Sequence, residues 1–278
     1  MSGENENIVQ FRIKRWDPHS GKFIMRYYEV PTVPYMTILD ALINIKENID
    51  PTLTFRMSCR MARCGSCAIT INGKPRLACN TSISSLNSRI VTLEPLRNLP
   101  PIRDLVVDHT PFFKKQAMIK PHLIRRDIDD FEGEYWNPTR EYYQSPKELE
   151  EYAEYAYCIT CGACYSACET VALDNQYLGP QALMNAFRFI RDSRDEGLFE
   201  RLEIIDAYDK CWKCRVIDAC SFVCPKNIDI SQAIQYLKRY LLKKYFIPSK
   251  IRKEPATLVT LPPSPKKRVE VQPPPFNV

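Results

Sequence analysis

Eight cysteines in the second half of the chain constrain its fold more than any other feature. They are Cys158, Cys161, Cys164, Cys168, Cys211, Cys214, Cys220 and Cys224. The first four follow the pattern C-x2-C-x2-C-x3-C, which is typical of loops that surround cubane iron–sulfur clusters. Pro225 fixes the backbone dihedral directly after the last cysteine and ends the turn there. This arrangement does not fit ordinary core packing, and it predicts an electron-transfer protein.

Two other uses of cysteine could explain the total of 12 in the chain. A disulfide framework is typical of small secreted chains, and 278 residues is not small. Zinc is the stronger alternative, because C-x2-C pairs also form zinc ribbons. With a net charge of +6, a basic zinc module that binds nucleic acid is the alternative from another functional class.

The chain shows no signal for export or for membrane insertion. No run of 18 apolar residues is present, so we expect no transmembrane segment. Residues 1–7 are polar and acidic, unlike the basic and apolar regions of a signal peptide. We therefore expect a reducing compartment, in which thiols stay free to bind metal.

The first half of the chain predicts a small sheet folded over one helix. Two strands should flank a turn at residues 17–21, and a second hairpin should turn at Asn72-Gly73. Thr37 and Asp40 match a capping box that begins a helix. Apolar residues then follow at helical spacing, at Leu39, Leu42, Ile45 and Ile49. Hairpin, helix, loop and hairpin in this order predict the β-grasp fold.

The loop between that helix and the second hairpin carries a second cluster motif. Three of its thiols have the C-x4-C-x2-C spacing of plant-type [2Fe–2S] sites, and the hairpin returns a fourth. They are Cys59, Cys64, Cys67 and Cys79. The sulfides of such a cluster need backbone N–H donors nearby, and Gly65 and Ser66 permit that approach. Arg60 could add positive charge or could be an ordinary exposed loop residue.

Residues 55–73, together with Leu77-Ala-Cys79, resemble the iron–sulfur subunit of succinate dehydrogenase and fumarate reductase. Residues 99–108 and 119–123 match the linker between the two domains of that family. The likeness implies an α+β chain, with an N-terminal β-grasp, plant-type [2Fe–2S] ferredoxin domain. An all-α, bacterial-type ferredoxin domain with two clusters should follow it.

The resemblance implies domains at residues 1–130 and 131–247, and the composition then changes. Residues 248–278 form a basic tail that holds eight of the chain's 22 prolines. Such a segment cannot form a core and should be extended. It could lie over a partner subunit or an anionic membrane face, or it could be a disordered end.

The resemblance also implies which thiols bind which cluster. The [2Fe–2S] ligands would be Cys59, Cys64, Cys67 and Cys79, with Arg60, Gly65 and Ser66 beside the cluster. The [4Fe–4S] ligands would be Cys158, Cys161, Cys164 and Cys224. The third cluster would be bound by Cys168, Cys214 and Cys220.

In most of the family the third cluster is [3Fe–4S], because the fourth thiol is missing where this chain has Ile217. Cys211, however, places an extra C-x2-C pair beside this site. A minority branch of the family resembles that pattern and carries a second [4Fe–4S] cluster instead. The sequence therefore favours Cys211 as a fourth ligand over Cys211 as a spare buried thiol.

The resemblance implies a subunit of succinate:quinone oxidoreductase that relays electrons between an FAD-containing flavoprotein and quinone. The chain would lie peripherally on the cytoplasmic face of the cell membrane, with no nucleic acid as partner. Glu169, Leu173 and Arg215 replace residues that the family usually has at its quinone end, which predicts an atypical membrane anchor. The chain has no catalytic pair, so substrate chemistry would belong to the flavoprotein. A subunit of another flavoenzyme, or of a heterodisulfide-reductase-like complex, is the alternative.

Overall fold

The structure is a computed structural model that describes residues 7–126, 140–246 and 258–260. The expected domain boundary near residue 130 and most of the expected tail lie outside the described residues. The first described segment forms a sheet with one packed helix, and the second is mainly helical. The predicted α+β class is confirmed.

A five-stranded sheet makes up most of the first half. Its strands are β1 (Asn7–Asp17), β2 (Lys22–Thr32), β3 (Ala68–Ile71), β4 (Lys74–Leu77) and β5 (Ile90–Glu94). They lie in the order β2-β1-β5-β3-β4, with β1 and β5 parallel and the other neighbours antiparallel. Along β1, Val9, Phe11 and Ile13 alternate into the core. Both predicted hairpins are present, at residues 17–21 and at Asn72-Gly73.

Helix α1 (Ile38–Asn44) packs against this sheet and begins at the predicted capping box. The Thr37 N–H donates to Asp40 Oδ2 at 2.9 Å, and the Asp40 N–H donates to Thr37 Oγ1 at 3.2 Å. Its last turn widens to a π-helical turn over Ile45–Ile49.

A short hairpin and a helix connect the sheet to the second half. They are β6 (Pro101–Arg103), β7 (Val106–Val107) and α2 (Thr110–Met118). Asp104, which is fully buried, fixes this connection to the sheet domain. Its carboxylate accepts hydrogen bonds from the Trp16 N–H at 2.7 Å and the Thr54 N–H at 2.8 Å. Arg15 Nε lies 3.1 Å from the same group.

The second half consists of short helices joined by the cysteine loops. Its helices are α3 (Pro146–Glu150), α4 (Ala153–Ala156), α5 (Ala163–Ala167), α6 (Glu169–Leu173), α7 (Pro180–Arg191), α8 (Leu198–Ile205), α9 (Ala219–Phe222) and α10 (Ile230–Phe246). Helices α7 and α10 pack together, and Leu183, Ile190, Ile234 and Leu237 are fully buried. This half is not purely helical, since β8 (Arg140–Tyr142) pairs antiparallel with β9 (Leu258–Thr260). Within the described residues, no helix is both long and apolar enough to cross a bilayer.

Candidate metal centres

The first cysteine loop, residues 55–67, directs its backbone amides at the thiols. Three N–H groups donate to Cys59 Sγ at 3.5, 3.2 and 3.3 Å, from Met61, Arg63 and Cys64. The Ala62 N–H donates to Cys79 Sγ at 3.3 Å. Amide donors around sulfur stabilise thiolate charge.

The four predicted thiols of this site stand together. The Cys79 N–H donates to Cys67 Sγ at 3.5 Å. A hydrogen bond from the Ser66 side chain, with amide bonds, lowers the pKa of the exposed Cys64 thiol to about 6. Burial raises the pKa of the Cys67 thiol to about 12. The Cys64 thiol therefore loses its proton readily near neutral pH, whereas the Cys67 thiol needs a bound metal to lose its proton.

Two other residues expected beside this cluster, Arg60 and Gly65, lie in the same loop. Arg60 lies with its guanidinium 3.9 Å from Met57 Sδ on the exposed side of the loop. A Cβ built at Gly65 would lie 2.8 Å from Cys161 Cβ, in the second half of the chain.

A cavity in the second half is lined by all four thiols of the predicted [4Fe–4S] set. These thiols belong to Cys158, Cys161, Cys164 and Cys224. Phe112, Ile159 and Ile228 contribute apolar walls to this cavity. Burial raises the pKa of the Cys161 thiol to about 11 and that of Cys164 well above its ordinary value.

A second cavity is lined by three thiols. They belong to Cys168, Cys214 and Cys220. Ile217 lies in the wall of this cavity, and Cys211 does not. Cys211 is fully buried, and burial raises the pKa of its thiol to about 12. The structure therefore groups three of the four thiols that the sequence assigned to the third cluster.

Of the three residues expected at the quinone end, two line the second cavity and one does not. Glu169 and Arg215 line the second cavity, whereas the Leu173 side chain is 77% exposed beyond it. Two residues that sequence reasoning missed also lie here. Buried Tyr177 lines the cavity wall, and Lys238 Nζ donates to the Cys214 carbonyl at 2.6 Å. Both residues lie outside the cysteine motifs, so no pattern in the sequence indicated that either would contact this site.

Each of the three cysteine loops contains non-glycine residues in the left-handed region. They are Arg60 and Ala62 in the first loop, Thr160 in the second, and Val216 and Asp218 in the third, with φ from 50° to 66°. This conformation is costly for β-branched residues such as Thr160 and Val216. Backbone strain of this kind persists where surrounding structure requires it, commonly at ligand sites.

The two halves are joined by a side chain that sequence reasoning also missed. Asn98 Nδ2 donates to three carbonyls at the end of α5, at 3.0, 3.2 and 3.0 Å, on Tyr165, Ser166 and Cys168. The preceding Arg97 N–H donates to Ser166 Oγ at 2.8 Å. These bonds anchor the segment after β5 to the helix that carries Cys164.

The thiol arrangement fits clusters better than single ions. A zinc ion needs ligands about 2.0 to 2.3 Å from it on several sides. Within the described parts of the chain, no three Cys, His, Asp or Glu side chains converge in that way. The thiols instead border cavities and an amide-rich loop, as groups of several metal and sulfide atoms require, and all 12 are unpaired.

Comparison with known proteins agrees with this geometry. A family described as "2Fe-2S iron-sulfur cluster binding domain" matches residues 10–114, and one described as "4Fe-4S dicluster domain" matches residues 154–228. The fold and the thiol sites together define a ferredoxin-type electron-transfer protein with two kinds of iron–sulfur domain.

Sequence relatives give the particular family. The chain is 43% identical over 225 residues to the fumarate reductase iron-sulfur subunit of Mycobacterium tuberculosis, covering 80% of this chain and 89% of the relative. It is 37% identical over 241 residues to the succinate dehydrogenase iron-sulfur subunit of Paracoccus denitrificans, covering 86% and 90%. A chain of the Mycobacterium smegmatis Sdh1 complex in the apo form superposes with a TM-score of 0.76 at 26% identity, covering 87% and 98%.

The chain belongs to the iron–sulfur subunits of fumarate reductase and succinate dehydrogenase. It is an electron-transfer subunit of an oxidoreductase, and the predicted [2Fe–2S] and [4Fe–4S] cofactors are confirmed. The zinc module and the other flavoenzyme complexes considered from the sequence are not favoured.

Proposed function

We propose that the three thiol groups bind three clusters that form one electron relay. The [2Fe–2S] cluster takes Cys59, Cys64, Cys67 and Cys79, and the [4Fe–4S] cluster takes Cys158, Cys161, Cys164 and Cys224. The third takes Cys168, Cys214 and Cys220. The observation that carries the proposal is the contact between the first loop and the wall of the first cavity, at Gly65 and Cys161. When bound, the clusters accept and release single electrons.

The position of Ile217 supports a three-iron cluster at the third site. This side chain lines the cavity where a fourth ligand would otherwise approach, and Cys211 is absent from the cavity wall. The sequence favoured Cys211 as that ligand. Its placement supports the alternative, in which three thiols bind [3Fe–4S] and Cys211 packs in the core.

We further propose that the third site faces the electron acceptor. Two apolar side chains that line its cavity, Val216 and Ile217, are 37% and 49% exposed. Exposed apolar surface of this kind marks a contact with a partner or a membrane. The partners are then an FAD-containing flavoprotein near the first loop and a membrane anchor with quinone at the third site. In this proposal the chain lies peripherally on the cytoplasmic face of the membrane.

Glu169 and Arg215 give this proposed acceptor site its atypical character. Both line the third-site cavity, so one acid and one base stand where an acceptor would approach. An anchor of unusual type would accommodate these charges.

Replacing one thiol in each group tests the ligand assignment. The variants are Cys67→Ser, Cys164→Ser and Cys214→Ser, with Cys211→Ser as the matched control. Each of the first three should lose or change one cluster signal in electron paramagnetic resonance (EPR), and the control should lose none. Loss of the same signal in two of the three variants would contradict the assignment.

A further inference from the structure

Gly65 stands where the first and second cysteine loops meet. Its φ is +74°, in the left-handed region that side chains rarely adopt. A Cβ built there would lie 2.8 Å from Cys161 Cβ, 2.9 Å from Cys161 Cα and 3.0 Å from the Ile159 carbonyl oxygen. Two of the three neighbours are backbone atoms, which cannot move aside as a flexible side chain can. The two loops therefore pack so closely at this point that only glycine, which has no Cβ, fits between them.

This contact joins two ligand loops directly. Gly65 lies between Cys64 and Cys67 in the chain, and Cys161 lines the first cavity. The same two halves are fixed nearby by the hydrogen bonds from Asn98 to α5. With the halves fixed there, added bulk at Gly65 has to displace one cysteine loop from the other.

We propose that Gly65 is a positioning residue that sets the spacing of the [2Fe–2S] and [4Fe–4S] clusters. The inference rests on the proposed ligand sets. Transfer between the two sites moves one electron, and no bond forms or breaks. Because electron tunnelling weakens steeply with distance, a methyl group that separates the loops should slow this step.

Gly73 supplies a control for the effect of backbone strain. Its φ of +79° is close to that of Gly65, and a Cβ built there meets no atom within 4 Å. Alanine at either position imposes a similar left-handed strain. Only alanine at Gly65 adds the collision with the second loop.

The experiment compares Gly65→Ala, Gly73→Ala and wild type in the complex purified anaerobically. Iron and acid-labile sulfide are measured first to establish cluster content. The microwave-power saturation of the reduced [2Fe–2S] EPR signal is then recorded with the [4Fe–4S] cluster also reduced. A nearby paramagnet speeds spin relaxation, by an amount that falls steeply with distance.

We expect Gly65→Ala to shift half-saturation to lower microwave power, and Gly73→Ala to match wild type. Wild-type saturation in a Gly65→Ala complex with full cluster content would overturn the inference. A wild-type complex without two reduced cluster signals would instead refute the proposed function, and the inference with it.

A second pair of variants covers failure of Gly65→Ala to fold. Asn tolerates the left-handed region, so Gly65→Asn relieves strain and keeps the collision, and Gly73→Asn is its control. The same shift in Gly65→Asn supports the inference. Loss of the [2Fe–2S] cluster in both Gly65 variants, with both Gly73 variants intact, would overturn it, because Gly65 would then serve loop folding and not spacing.

Discussion

At the scale of single residues, the type of the third cluster depends on which side chain occupies one place in a cavity wall. Ile217 lines that wall, Cys211 is buried and does not line it, and we propose that Ile217 stands where a fourth ligand would otherwise lie. Three thiolates leave one corner of a cubane without a protein ligand. Whether Cys211 is a ligand cannot be read from the spacing of Cys211 and Cys214, because C-x2-C spacing does not specify the direction in which each side chain points.

We predict that Cys211→Ser leaves the third cluster unchanged and that Ile217→Cys converts it to [4Fe–4S]. A three-iron cluster is paramagnetic when oxidised, whereas a ferredoxin-type [4Fe–4S] cluster is silent when oxidised and paramagnetic when reduced. EPR of the oxidised protein should therefore show a three-iron signal in wild type and Cys211→Ser, and none in Ile217→Cys. An oxidised wild type with no such signal would restore Cys211 as the fourth ligand.

His109 gives a pH dependence at the same scale. Burial is the main cause that lowers its pKa from the ordinary 6.5, and the positive charge of Arg56 adds to it, against smaller opposing effects of Asp108 and the Val107 backbone. Below about pH 6.5 the unfolded chain then binds more protons at this position than the folded chain does. The neutral imidazole therefore makes its full contribution to the free energy of unfolding above about pH 6.5, and this contribution falls as the pH drops below that value.

We expect the melting temperature of wild type to fall more between about pH 7.5 and about pH 5.5 than that of His109→Gln, because this window spans the ordinary His value. His19→Gln, in the exposed turn after β1, is the control and should follow wild type. Equal pH dependence of wild type and His109→Gln would show that burial of this imidazole does not affect stability.

At the scale of elements, the segment after β5 holds α5 through one side chain. Asn98 Nδ2 donates to three carbonyls at the end of a short helix, and it adds a second donor to those of Tyr165 and Cys168, which also accept a backbone N–H at 3.3 Å. Asn98 has a φ of 63°, a conformation that Asn and Gly adopt readily.

Asn98→Gly should therefore keep the backbone and remove only the side-chain hydrogen bonds. The Asn98 amide group shares two hydrogens among the three carbonyls, so at about 0.5 to 1.5 kcal/mol for each hydrogen the loss should be about 1 to 3 kcal/mol, which lowers the melting temperature by several degrees. Asn87→Gly is the control, since Asn87 has a φ of 45° and makes no side-chain hydrogen bond that the structure records in the described residues. Equal melting of the two variants would mean that Asn98 does not stabilise the interface.

Local rules of the chain predicted most of the elements. The capping box at Thr37, the Asn72-Gly73 turn and the cysteine spacings each depend on neighbouring residues, and the structure contains them all. Ile49 was expected on the apolar face of the helix, but the π-helical turn leaves it 48% exposed. The roles of Asn98 and Lys238 depend on contacts across the fold, which a single sequence does not encode locally.

At the scale of the whole molecule, the cysteine loops pack against one continuous apolar core that runs through both halves. Burial raises the pKa of the Cys161 and Cys220 thiols to about 11 and about 12. Metal binding therefore has to displace their protons, which couples cluster assembly to folding. The contact at Gly65 and the Asn98 hydrogen bonds hold the two halves of the chain together. In our proposal the clusters of the two halves then form one electron relay.

The most direct test of that account is the metal and sulfide content of the chain after anaerobic purification with its complex. The proposed [2Fe–2S], [4Fe–4S] and [3Fe–4S] clusters predict about nine iron atoms and about ten acid-labile sulfides per chain, with no stoichiometric zinc. Zinc near one or more atoms per chain, with little iron or sulfide, would contradict it.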